Sequence, residues 1–236
     1  MSEPLFDRYA EQYDQILGES ISEDADGCAY FAEYKIALSA KLLAGKTIRR
    51  ILDFGCGAGR SLPYLSRYFP HSELWGYDPS EKSIEIARQR VPSALLFSEW
   101  DKASETDFDF IIAANVFHHI PPEQRHSALS RCHARLADGG QMILFEHNPY
   151  NPATRWVFER CPFDKDAEML SLRTALYLAA EAGFCRIDSG YSLFFPRPLS
   201  FLRPIEPFLK HLPLGAQYYL QMAGAPPASP RLRETH

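Results

Sequence analysis

The sequence predicts an α/β protein built on a mainly parallel sheet with helices on both faces. Three observations carry this. Short apolar runs recur at 50–54, 73–77, 94–98, 110–114 and 142–145 and alternate with segments of helical spacing at 59–68, 80–90 and 122–136, an order that calls for crossover connections and cover on both faces. In Asp53-Phe54-Gly55-Cys56-Gly57-Ala58-Gly59 the first run passes into three alternate glycines, which suit a tight bend with backbone open to a ligand. In Glu73-Leu74-Trp75-Gly76-Tyr77-Asp78 the second run ends on a carboxylate, where sheets of this kind bind a ribose.

Taken in order, residues 1–48 precede the first strand. Phe6, Tyr9, Ala10 and Tyr13 share one helical face, as do Phe31, Tyr34, Ile36, Leu38 and Leu42, with a polar loop over 18–27 between them. The helix from 59 follows the glycine bend. The helix from 80 is capped by Ser80 after Pro79, and the one from 122 carries Pro121-Pro122 at its start and Gly139-Gly140 beyond its end. A helix over 171–182 stops at Gly183, and 185–192 reads as a sixth strand. Ligands bind at the carboxyl ends of such strands, so the loops after positions 54, 77, 98, 114 and 145 converge on one site.

Composition narrows the class. The 236 residues, 46% of them hydrophobic, support one substantial core. A net charge of -5 without a basic cluster argues against nucleic acid as partner. Five cysteines, odd in number and without a C-x-x-C pair, read as reduced thiols. With no basic-then-apolar leader and no apolar run of bilayer length, a cytoplasmic protein is expected.

The spacing of the glycines separates two ligands. A dinucleotide fold needs its third glycine three residues after the second, and position 60 is Arg. The motif 53–59, then Asp78, then the run from Phe108 to Ile120 with its His118-His119 pair, then Leu136-Ala137-Asp138-Gly139-Gly140, resembles the class I S-adenosylmethionine (SAM)-dependent methyltransferases over roughly residues 45 to 150. The resemblance implies a seven-stranded Rossmann-like sheet whose last strand, 215–222, runs antiparallel near the edge. It also implies a helical lid over 1–48 with Tyr9 and Tyr13 as lid residues, and a SAM-binding domain over 49–223.

SAM is the cofactor so implied. Asp53, Gly55, Cys56, Gly57 and Gly59 would hold its amino-acid part, and Asp78, beside Pro79, the ribose hydroxyls. Trp100 would meet the adenine, Tyr13 would close from the lid, and Asn115 would border both cofactor and acceptor. A histidine at the reacting centre can remove an acceptor's proton, which makes His118 and His119 candidates, although either ring can instead hydrogen-bond the lid.

The run from Glu146 to Trp156 sets a carboxylate, an imidazole, amides and a guanidinium between fixed prolines. Glu146, His147, Asn151 and Arg155 are read as acceptor-binding, with Glu146 and His147 also candidate catalytic groups. A metal site from His118, His119, Glu146 and His147 is conceivable, but adjacent histidines are not the usual ligand spacing, and no metal is expected. Residues 193–214 form an insertion mixing Phe, Leu, Pro and basic residues. Its default place is packed over the sheet; such a segment can also cover a pocket, dimerise, or touch a membrane carrying a lipid-linked acceptor, and both a monomer and a homodimer fit. The tail 224–236 reads as disordered. The expected reaction is methyl transfer to a small-molecule or lipid-linked acceptor, oxygen favoured, with N- or C-methylation or a non-catalytic SAM-binding module as the alternatives.

Overall fold

In the computed structural model, residues 25–103 and 106–224 are described; Tyr9, Tyr13, the first lid helix and the tail beyond 224 lie outside them. The described chain runs α1 (Ala25–Leu42), β1 (Arg50–Phe54), α2 (Leu62–Tyr68), β2 (Glu73–Tyr77), α3 (Glu81–Arg90), β3 (Leu95–Phe97), β4 (Phe108–Ala114), α4 (Pro122–His133), β5 (Leu136–His147), α5 (Pro152–Phe158), α6 (Leu172–Glu181), β6 (Phe184–Ser192), α7 (Glu206–Leu209) and β7 (Gln217–Gly224). Short 3-10 turns at Trp100–Ala103, Phe117–His119, Pro162–Asp164 and Arg197–Ile205 join them. No helix among the described residues is long and apolar enough to cross a membrane.

The seven strands lie in the order β3-β2-β1-β4-β5-β7-β6. All neighbours from β3 to β5 are parallel, and β7 runs antiparallel to both β5 and β6. The last strand therefore slots inside β6, which takes the edge. Side chains on a strand alternate between faces, and the central strands are apolar on both. Leu52, Ile111, Met142 and Leu144 pack under α4 and α6. Ile51, Phe110, Ile112 and Ile143 pack against Ile36 and Leu43 around α1, Leu62 and Leu65 of α2, and Ala87 of α3.

Two boundaries differ from the sequence reading. Helix α2 starts at Leu62 rather than 59, because Gly59 holds φ +77 and its Cα lies so close to α3 that a Cβ would sit 2.8 Å from that of Ala87. Helix α4 ends at His133, and Gly139-Gly140 fall within β5, not after a helix. There the β4–β5 register shifts between Phe108 and Phe110, and a Cβ on Gly140 would meet the Phe108 carbonyl at 2.7 Å. The pair serves an irregular strand entry.

The insertion is clamped to α1. The Tyr34 hydroxyl donates to Glu206 Oε2 at 2.6 Å, and the Phe194 amide donates to Glu206 Oε1 at 3.0 Å. The Arg203 guanidinium lies over the rings of Tyr30 and Tyr34 at 4.2 and 4.4 Å. Together α1 and residues 193–196 roof the carboxyl ends of β1, β4 and β5.

Candidate active site

The glycine bend and Asp78 meet. Gly57 N donates to Asp78 Oδ2 at 2.9 Å, and Ser80 N donates to Oδ1 at 2.9 Å. These bonds aim a buried carboxylate along the bend. Ser80 itself caps α3, accepting from Ser83 N at 3.1 Å. The bend needs its glycines for separate reasons. A Cβ on Gly55 would lie 2.5 Å from a methyl of Val116, whereas one on Gly57 would meet nothing within 4 Å. Gly55 lets two loops touch; Gly57, at φ +50, leaves space.

That space is a cavity of about 1250 Å³, larger than the ~300–1,000 Å³ usual for one small ligand. Gly55, Gly57, Tyr77, Asp78 and Pro79 wall one end. Asn115, His119, His147, Thr154, Phe158, Asp164 and Gln217 wall the other, and Phe31, Lys35 and Phe194 are among its roof. Three buried wall oxygens, Asp53 Oδ2, Asn115 Oδ1 and Gln217 Oε1, bond nothing in the described structure. An unsatisfied buried polar atom costs about 1–3 kcal/mol, so the walls present acceptors to whatever donors enter. Asn115 holds φ 59, a left-handed conformation that asparagine adopts more readily than other side-chain-bearing residues.

Charge on the walls is poised. Burial, then the neighbouring Asp78, pushes the Asp53 carboxyl up to about 7, with Lys35 opposing. Burial brings the Lys35 ammonium down to about 8. At the far end, Glu146 is fully buried and accepts from Val116 N at 3.0 Å, Phe117 N at 2.6 Å and His118 Nδ1 at 2.6 Å. Burial opposes charge on His118, but Glu146 and Asp164 outweigh it and raise the ring to about 9; in return, His118 holds Glu146 down to about 2 against burial. Burial, then His118, lowers His119 to about 3 and His147 to about 4. Both are therefore neutral rings and weak bases. His118 Nε2 and His119 Nε2 stand 3.5 and 3.4 Å from Asp164 Oδ1.

The residues expected from sequence separate accordingly. Asp53, Gly55, Cys56, Gly57, Asp78, Pro79, Asn115, His119, His147 and Asn151 line the cavity. Four others do not. Trp100 stands behind the wall, its ring edge-on to Tyr77 at 5.1 Å and Phe54 at 5.6 Å, so Tyr77 occupies the place given to it. Gly59 packs on α3. Glu146 and His118 are buried and do not line the cavity; Glu146 holds the 116–119 turn through the Val116 and Phe117 amides and holds the His118 ring from behind. Arg155 is exposed and pairs with Glu159 at 3.7 Å, one turn on along α5, which withdraws it from acceptor binding. Asn151 caps α5, accepting from Thr154 N at 2.9 Å.

Lys35, Asp164 and Gln217 were missed. Lys35 breaks the apolar face of α1, a signal that was available. Asp164 sits near Asp166 in a short turn, and nothing in the local sequence ranks one above the other.

Fold and site define the class: a class I SAM-dependent methyltransferase architecture. Residues 52–142 match the methyltransferase domain family. An uncharacterized methyltransferase of Bacillus cereus (strain ZK / E33L) is 27% identical over 143 residues, 59% of this chain and 64% of the relative. The chain thus spans under two thirds of that relative's length. A SAM-dependent methyltransferase of Thermotoga maritima, described as a possible histamine N-methyltransferase, superposes with TM-score 0.67 at 21% identity over 94% of this chain and 98% of its own. The magnesium protoporphyrin IX methyltransferase of Synechocystis PCC 6803 with bound SAM superposes with TM-score 0.56 at 16% identity, over 85% and 81%. These likenesses are of fold.

Proposed function

We propose that the chain transfers a methyl group from SAM to a small-molecule or lipid-linked acceptor, at oxygen. The observation that carries this is the Asp78 carboxylate held 2.9 Å from the Gly57 amide at the head of a cavity with room for two ligands. The residues suit SAM. Asp78 offers acceptors for a pair of ribose hydroxyls, Gly57 leaves the backbone exposed, and the unpartnered Asp53 Oδ2 offers an acceptor to a cationic amine. When bound, SAM supplies an electrophilic methyl on a sulfonium.

The chain's own task is then placement. Holding two reactants at contact is worth up to roughly 7–11 kcal/mol. Asn115, just beyond β4, lines the cavity and offers an acceptor to whichever ligand reaches it. His119 and His147 present neutral imidazoles to an acceptor hydroxyl, which they can hydrogen-bond and orient. As bases they are weak, because the best catalytic pKa lies near the working pH and burial has moved both below it. The roof of α1 and 193–196 excludes water, which would otherwise solvate the nucleophile.

A lipid-linked acceptor draws on a second observation. Phe201 and Phe208 of the insertion are 72% and 85% exposed, and exposed Tyr150 and Leu214 flank Asn151 at the cavity wall. Such an apolar rim suits a substrate presented from a bilayer. Vesicle co-sedimentation of the native chain and of Phe201→Ser/Phe208→Ser reads this part: equal binding by the two removes it.

The reaction is tested by S-adenosylhomocysteine formation across hydroxylated, amine and carbon-acid acceptors. Turnover with a hydroxylated acceptor is expected. Turnover confined to amines or carbon acids removes the oxygen assignment, and none with any acceptor, in protein that binds SAM, removes the transferase reading.

A further inference from the structure

One ring of the site is held unequally on its two sides. His118 Nδ1 is 2.6 Å from Glu146 Oε2, a tight charge-assisted bond, while His118 Nε2 stands off Asp164 Oδ1 at 3.5 Å. His119 Nε2 approaches the same oxygen only to 3.4 Å. Both contacts are longer than the about 2.7–2.9 Å of a closed charge-assisted N–H···O bond, so Asp164 is a weaker partner of these rings than Glu146 is of His118. The spacing matches a different arrangement. Ligands bonded at about 2.1 Å to one metal ion and set at the tetrahedral angle lie about 3.4 Å apart; octahedral neighbours would lie closer, at about 3.0 Å. All three candidate atoms fall within 4.8 Å of one another.

We infer that His118, His119 and Asp164 bind a divalent transition-metal ion, zinc the best fit, with its open position toward the cavity. The donor set of two imidazoles and a carboxylate suits zinc and its neighbours rather than magnesium or calcium. Glu146 completes the pattern from behind. A ligating histidine usually gives its other N–H to a carboxylate, which fixes the tautomer and leaves the second nitrogen's lone pair for the ion. Glu146 does this for His118, and the amides of Val116 and Phe117 hold Glu146 in turn. Charge agrees as well: Glu146 and Asp164 place two carboxylates in a buried pocket, which a dication neutralises.

His119 and Asp164 both line the cavity, so the ion's remaining position is reachable by water or by an acceptor oxygen. His147, whose ring lies 5.1 Å from that of His118, stands beside it. A bound hydroxyl or water there would ionise near neutrality, a task the weakly basic imidazoles do poorly. That use rests on the methyltransferase reading. The metal site does not, and it sets aside the expectation of no metal, which followed from histidine adjacency alone.

The test is calorimetric titration of chelator-treated full-length protein with zinc chloride, alongside cobalt(II) chloride followed by visible absorption. One ion per chain and the intense absorption of tetrahedral cobalt are expected. Asp164→Asn should weaken zinc at least tenfold, and Glu146→Gln about 10–100-fold, while Asp166→Asn, on the exposed side of the same turn, should match the native protein. SAM titration of each variant checks that the fold survives and fails independently if the cofactor assignment is wrong. No zinc bound by the native chain, or binding unchanged in Asp164→Asn, overturns the site. If Asp164→Asn does not fold, the cobalt spectrum of the native protein decides: absence of tetrahedral absorption overturns it.

Discussion

The two ends of the cavity are built from different materials. The Asp78 end is mostly backbone: Gly55 and Cys56 amides bonded to the Tyr77 carbonyl, the Gly57 amide on Asp78, and open space where side chains would stand. The His119 end is mostly side chain, with Glu146, His118, His119, His147 and Asp164 packed in a network. Backbone geometry survives most sequence change, whereas a charged network fails when one member goes. The first end therefore reports the family, and the second reports what this particular chain does with it.

Substitutions can break that contrast, and the largest effect should come from the network. Glu146→Ala leaves two backbone amides and the His118 ring facing an apolar void; removing one partner of a buried pair costs about 3–5 kcal/mol. Urea denaturation should show a loss of that size, and a loss under 1 kcal/mol would mean that the network is not coupled. Next comes the bend. Gly55→Val forces a β-branched side chain to φ +74 and into Val116, and strain with overpacking costs about 2–4 kcal/mol. Gly57→Ala faces the positive φ but no clash, so it should cost less stability yet impair SAM binding more, a reversal that calorimetry beside denaturation would detect.

A smaller effect lies in pH. Asp53 titrates near 7 in the free protein because burial raises it. Below that pH the protonated carboxyl must release its proton before it can accept from a cationic amine, so SAM affinity should fall toward lower pH, by up to about tenfold per unit. It should level off above 7, and Asp53→Asn should flatten the profile. The smallest effect is at Arg155. Being exposed and paired along its own helix, it can be changed to Ala with less than about 0.5 kcal/mol lost and no change in acceptor KM.

The same contrast explains what the sequence could reveal. The parallel strands, the glycine bend and Asp78 were legible because backbone needs impose residue types at fixed spacing: glycine where φ is positive or space is short, carboxylate at a strand end. The network was half legible. His118, His119, Glu146 and His147 stand out as polar residues at strand ends, but which of them touch the cavity depends on the turn at 117–119 and on Glu146 being drawn under it. Asp164 joins from a turn distant in sequence, and Lys35 from a helix otherwise read as core. Trp100 was misplaced because an aromatic in the right loop can face either the cavity or Tyr77. The position of β7 followed from resemblance, but the edge went to β6, since strand order among late strands has no local signature.

The central claim is that Asp78 and the bend beside it form a SAM site. Calorimetric titration of SAM into the native chain and into Asp78→Ala tests it most directly. Charged hydrogen bonds are worth about 1.5–3 kcal/mol each, so the native protein should bind SAM and the variant should bind at least tenfold more weakly. Equal affinities, or no binding by the native protein, would contradict the claim.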